Sequence, residues 1–334
     1  MDYVLIWAGI MAFAVFAYVV LDGFDLGIGL IFPFLTAQDD RATAMNSIAP
    51  FWDGNETWLV LGGGGLYATF PLAFAIIMPA LYVPLIIMLL ALIFRGVAFE
   101  FRWRAESEAG RKRWDLGFIL GSLFAVLSQG VALGALVQGI EVADRAYAGG
   151  WWDWLSPFSL ATGLALVVGY ALLGSCWLVY KTSGDLQHRC RRAAVYLTWA
   201  LGAMIAMISV WMLFKQDPYM RRWFDYPNYW LLSPVPVMVL GLGLWQLWAL
   251  KKQRDLAPFL LTIALFGLSF FGLCISFYPY IVPPEIDIWQ AASPTSSLQF
   301  LLVGSAILIP MILLYTGYSY WVFRGKVKPD DSYH

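Results

Sequence analysis

Nine apolar runs, each about as long as a bilayer is thick, leave this chain little to fold into except a bundle of transmembrane helices. A spanning helix needs roughly 20 apolar residues. The runs lie at residues 3–35, 55–75, 79–100, 115–139, 157–180, 194–214, 230–250, 257–281 and 298–323. The second and third form one stretch from Thr57 to Phe99, which as a single helix would be about 65 Å long. That is twice the hydrocarbon core, so the spacing predicts a break near Pro71 to Pro79. If one part lies in the interface instead, the count is eight. Charged residues are only 13% of the chain, about half the share of a soluble domain, so residues 1–334 read as one all-α, polytopic membrane domain. The apolar N-terminus lacks a basic leader and a cleavage site and reads as the first span, not a signal peptide.

Basic residues orient the bundle through the positive-inside bias. Sixteen of the 21 Lys and Arg follow odd-numbered spans, from Arg41 through the Arg102–Arg113, Lys181–Arg192 and Lys251–Arg254 clusters to Arg324, Lys326 and Lys328. The other side holds Arg145, Lys215, Arg221 and Arg222, and Arg95 lies within a span. The N-terminus is therefore expected outside and the C-terminus in the cytoplasm. Nothing in this distribution suits nucleic acid.

Against that background the segment "LDGFDLGIGL" stands out, because it sets Asp22 and Asp25 inside the first span. Each ionisable group in hydrocarbon costs roughly 3 kcal/mol, so such residues are functional candidates by default. At i and i+3 the two share a helix face. Asp22 lies about 27 Å along the axis from Val4, toward the cytoplasmic half, and a pair this close in low dielectric can hold and pass a proton. "FWDGNETWL" adds Asp53, Asn55 and Glu56 at the start of the second span, where Asp53 and Glu56 also have the spacing of a helix capping box. Arg95 and Glu100, in "FRGVAFEFR", end the third span on the same side, Arg95 as a partner for these acids or an interfacial anchor. Convergence of six such residues from three helices points to a polar path from the cytoplasm.

Other features carry less. Cys176, Cys190 and Cys274 have no metal or disulfide spacing. "GGGG" at Gly62–Gly65 lacks the ending of a phosphate loop and reads as a site of close helix packing. Gln129, Gln138 and Ser128 suit hydrogen bonds between helices. Pro279, Pro283, Pro284 and Pro294 around Glu285 and Asp287 suggest a stiff outer turn against a partner. A buried haem needs axial His, Met or Cys, and the two histidines, His188 and His334, fall in a loop and at the C-terminus. Redox cofactors are thus expected on another chain, and no metal site is expected here. Two rivals stand beside this reading: a secondary transporter that uses the same carboxylates for H⁺ or Na⁺, and a haem held here through methionine.

The motifs "DGFDLGIG", "NSIAPFWDGNETWL", "FRGVAFEFR" and "YTGYSYWVF" resemble subunit II of the cytochrome bd family of quinol oxidases, and the likeness covers nearly the whole chain. Its short outer loops are closer to the cyanide-insensitive branch. The resemblance implies two four-helix bundles plus a peripheral helix in a bacterial inner membrane. It implies a complex that oxidises quinol and reduces dioxygen to water, taking protons from the cytoplasm. It puts haem b and haem d, or a second high-spin haem b, in the partner subunit I, and none in this subunit. It also admits a small single-helix accessory subunit and, in some members, a structural quinone. The family's acidic positions fall on Asp22 or Asp25 and on Asp53, and its arginine and acid after the third span fall on Arg95 and Glu100. Members can carry Gln at the position of Glu56, which argues against a required charge there.

Overall fold

The computed structural model describes residues 1–215 and 217–327; Lys328 and His334 lie outside the described residues. Helix α1 (Tyr3–Ile31) starts where the Asp2 carboxylate accepts from the N–H groups of Val4 and Leu5, at 3.0 and 3.1 Å, satisfying donors that the first turn leaves free. A short α2 (Gln38–Asn46) follows. The long apolar stretch becomes three helices, α3 (Trp52–Thr69), α4 (Pro71–Ala80) and α5 (Tyr82–Trp103). Pro71 cannot donate a backbone hydrogen bond and takes the first position of α4, so the chain breaks at Phe70 and again at Leu81, just past Pro79. The expected single split is thus a pair of breaks around a short helix.

The remaining helices are α6 (Glu108–Gln138), α7 (Pro157–Lys181), α8 (Gly184–Leu213), α9 (Asp217–Phe224), α10 (Asn228–Leu232), α11 (Pro234–Lys251), α12 (Ala257–Phe277), α13 (Ile288–Ala291) and α14 (Thr295–Val322). Two hairpins complete the chain, β1 (Val142–Ala143) with β2 (Ala146–Tyr147), and β3 (Tyr280–Val282) with β4 (Ile286–Asp287). Among the described residues eight helices are long and apolar enough to cross a membrane, α10 and α11 counting together. Helix α3 accounts for the ninth run. Asp53, Asn55 and Glu56 lower its hydropathy, yet its 18 residues run beside α1, with Asn55 bonded to Asp25 and Gly65 against Met11.

Helices α1, α3, α5 and α6 form one group of four, and α7, α8, α11 and α12 a second. Both α1 and α6 pack on α7 and join the two; α14 lies outside, touching α1 and α3. The joint is made by glycine. A Cβ on Gly27 would run into the carbonyl oxygen of Tyr170 and come within 2.9 Å of Gly174 N, so α1 and α7 meet backbone to backbone. A Cβ on Gly130 or Gly134 of α6 would lie 2.6 Å from the Cα of Gly163 or Ser159 of α7. The expectation for Gly62–Gly65 is corrected. Gly63 and Gly64 have nothing within 4 Å of a Cβ, Gly62 only Val15 at 3.9 Å, and only Gly65 is tight. The quartet spans every side of its helix, and most of it faces away from the bundle.

Most charged loops gather at one end of the bundle, the basic end. There Asp115 of α6 holds Arg41 of α2 at 2.7 Å and Arg102 of α5 at 2.5 Å, while Asp40 pairs with Arg189 of α8. Helix α2 is thereby tied across both groups. At the far end Trp7, Phe70, Ile76, Val282, Ile288 and Leu298 share one buried cluster. The proline-rich segment, expected as an outer turn against a partner, packs within this chain on α4 and on the end of α3. Ser293 donates to the Thr69 carbonyl at 2.8 Å, and Trp289 to Asp2 at 3.0 Å.

Candidate proton-handling site

Three helices bring their polar residues to one point near the basic end. Asp22 and Asp25 are fully buried, and Arg95 of α5 is 1% exposed. Arg95 donates through Nη1 to Asp22 Oδ1 at 3.2 Å and to Glu56 Oε1 of α3. Its guanidinium lies over the Trp52 ring, 5.8 Å from the centroid. The anchor reading of Arg95 is therefore replaced by an interior ion pair: position 95 faces the groove between α1 and α3, and the long side chain has acids to reach inside the protein. Asp25 is held differently. Asn55 donates to its Oδ2 at 2.7 Å and to the Leu21 carbonyl at 3.2 Å, and itself accepts from Tyr320 of α14 at 3.1 Å.

The polar line continues inward. Tyr18, one turn before Asp22 and facing it, accepts from Gln129 of α6 at 2.8 Å, and Gln129 accepts from Tyr170 of α7 at 3.1 Å. Bonding between helices is thus the role of Gln129, as its type suggested. Gln138 does the same at the far end, where it accepts from Ser156 at 2.6 Å. Asp22 Oδ2, Asp25 Oδ1 and Arg95 Nε and Nη2 are buried without a protein partner among the described residues. They keep free acceptor and donor capacity inside a region where polar groups are normally satisfied.

Two of the six candidates stay outside this cluster. Asp53 is exposed on α3, and Glu100 is half-buried on α5; neither makes a hydrogen bond or ion pair among the described residues. The capping box is also absent. Helix α3 begins one residue before Asp53 and takes no side-chain cap, because Phe51 is fixed by a stack on Tyr320, with centroids 4.3 Å apart, and an edge contact to Trp177. Glu56 therefore sits in the second turn, free to meet Arg95. Tyr18, Tyr170 and Tyr320 were not singled out in the sequence. Tyr18 had a signal there in its position four residues before Asp22 on the same helix face, and Tyr320 in its place within the motif "YTGYSYWVF".

The family model described as cytochrome bd terminal oxidase subunit II matches residues 3–323. The chain belongs to that family. It is similar to cytochrome bd-I ubiquinol oxidase subunit 2 of Escherichia coli strain K12, 31% identical, with 98% of this chain and 95% of the relative covered. It is 28% identical to cytochrome bd ubiquinol oxidase subunit 2 of Bacillus subtilis, over 98% and 97% of the two chains. The bd oxidase structure from Geobacillus thermodenitrificans has the same fold, with a TM-score of 0.79 at 19% identity over 97% of this chain and 99% of that one. The protein is thus a multi-pass membrane subunit of a cytochrome bd quinol:oxygen oxidoreductase, a complex that includes a subunit I and haem. The transporter reading gives way to these full-length matches.

Proposed function

We propose that this subunit takes up protons at the basic end, on the cytoplasmic side, for the reduction of dioxygen to water by the complex, and that it supports assembly of subunit I. The observation that carries the reading is the position of Arg95. One guanidinium bonds a fully buried carboxylate, Asp22, and a carboxylate that is 25% accessible, Glu56. The cluster thus connects solvent at the basic end to the membrane interior, and with Asp25 it sets three acids against one cation. Fixed geometry lets a carboxyl receive a proton at one oxygen and release it from the other without reorganising its surroundings. Trp52 covers the Arg95 guanidinium on one side. Asp53, exposed on α3, is available to a neighbouring subunit and extends the path toward it in this proposal. Glu100 has the same availability on α5.

The described histidine, His188, is exposed at the basic end, away from the interior where an axial ligand to a buried haem is needed. Haem b and haem d, or a second haem b, are accordingly proposed for subunit I. A structural quinone, an accessory single-helix subunit and membership of the cyanide-insensitive branch rest on the family resemblance alone.

Asp25→Asn and Asp53→Asn should each assemble with a normal haem spectrum yet consume oxygen about a hundredfold more slowly, the low side of what a lost proton-transfer group costs. Normal oxygen consumption in both variants would sink the path. Loss of haem-containing complex would assign the two residues to packing instead.

A further inference from the structure

A groove of about 480 Å³ runs between α8 and α11 at the basic end. Its outer part is lined by His188, Arg191, Arg192 and Lys251, and no carboxylate lines it. Deeper along the same face of α8 come Val195 and Trp199, with Leu247 opposite on α11. The positions 188, 191/192, 195 and 199 repeat at helical spacing, so the face changes from cationic to apolar in the direction in which α8 enters the membrane.

Two of the three Lys and Arg side chains here are not consumed by the protein. Neither Arg192 nor Lys251 has an ion-pair partner among the described residues, and both are exposed. Arg191 is 8% exposed; its two terminal nitrogens bond the Arg254 carbonyl and Asp255, each at 2.8 Å. Its Nε is buried and has no protein partner among the described residues. Held this way, Arg191 is a fixed positive wall of the groove, beside which the free donors of Arg192 and Lys251 can reach a phosphate oxygen. Trp199, 62% exposed, lies about 10 Å past Arg192 along α8 and supplies an apolar aromatic wall below the cationic rim.

From these features we infer that the α8–α11 groove binds one anionic phospholipid, its phosphodiester at Arg191, Arg192 and Lys251 and an acyl chain along Val195, Trp199 and Leu247. A basic pocket between transmembrane helices is a recognised chemistry for acidic headgroups. Zwitterionic lipid fits less well, since its ammonium group would meet further cations. Free phosphate matches the rim but leaves the apolar half unused.

The test uses the intact complex, delipidated in mild detergent and titrated in native mass spectrometry with dioleoyl phosphatidylglycerol, dioleoyl phosphatidylcholine or inorganic phosphate. Phosphatidylglycerol should be retained at least tenfold more tightly than phosphatidylcholine. Arg192→Glu with Lys251→Glu should remove that preference, and Arg192→Lys should keep it. Trp199→Ala should weaken phosphatidylglycerol while leaving its headgroup preference in place. Equal retention of the two lipids, a preference indifferent to the charge reversal, or displacement of phosphatidylglycerol by millimolar inorganic phosphate would each overturn the assignment. Should the double reversal impair assembly, Arg192→Gln alone reads the same preference.

Discussion

Arg95→Leu is expected to prevent accumulation of the folded subunit, the largest effect of any single substitution at the polar cluster. The change leaves Asp22 fully buried without its cation and removes the partner of Glu56 as well. Removing one member of a buried ion pair costs about 3–5 kcal/mol, because the remaining charge stays desolvated. That is a large part of the 5–15 kcal/mol by which a folded domain is typically stable. The effect is electrostatic, so it should be relieved by removing the stranded charges. Asp22→Asn with Glu56→Gln in the Arg95→Leu background should recover much of the assembled complex, measured as yield and melting temperature in detergent. Wild-type melting of Arg95→Leu alone would show that Asp22 does not depend on the pair.

Gly27→Ala should be nearly as damaging, by a different route. The added methyl meets backbone atoms of Tyr170 and Gly174, which no rotamer change can move aside. Overpacking usually costs about 1–3 kcal/mol, more when the backbone must shift, and here α1 and α7 must separate where the two helix groups join. Gly202→Ala on α8 is the control, since a Cβ there meets nothing within 4 Å and alanine is the better helix former by about 1 kcal/mol. The control should melt at or slightly above the wild-type temperature, and Gly27→Ala should melt well below it. Equal melting of the two variants would mean that the backbone contact does not hold the groups together.

The two substitutions also mark what could be read without a structure. Asp22, Asp25, Glu56 and Arg95 were legible because a charge in a membrane span is conspicuous and the loop charges place each span's ends. Their convergence followed from depth alone. Rotation about the helix axis did not follow, since α1 is apolar on nearly every side and offers no polar face to read. That is why Gly27 and Gly174 passed unnoticed while Gly62–Gly65 attracted attention. Asp53 failed as a cap for a related reason: the start of α3 is set by the contacts of Phe51 with Tyr320 and Trp177, residues distant in sequence. Tyr170 and Tyr320 join the polar line through contacts equally distant, and local spacing cannot announce them.

Tyr320 gives the site a schedule. It belongs to α14, which a ribosome delivers after the other helices of the cluster, and it bonds the asparagine that holds Asp25. Lys181 and Thr182 of the α7–α8 turn then fasten the chain just beyond it, through the Phe323 carbonyl, at 2.6 Å, and Lys326, at 2.8 Å. Until that span has been made and seated, Asn55 lacks the donor to its side-chain oxygen, and the amide that bonds Asp25 is less firmly held. Synthesis from the N-terminus therefore completes the hydrogen bonds around the acid cluster only after α14 has followed α1, α3 and α5 into place.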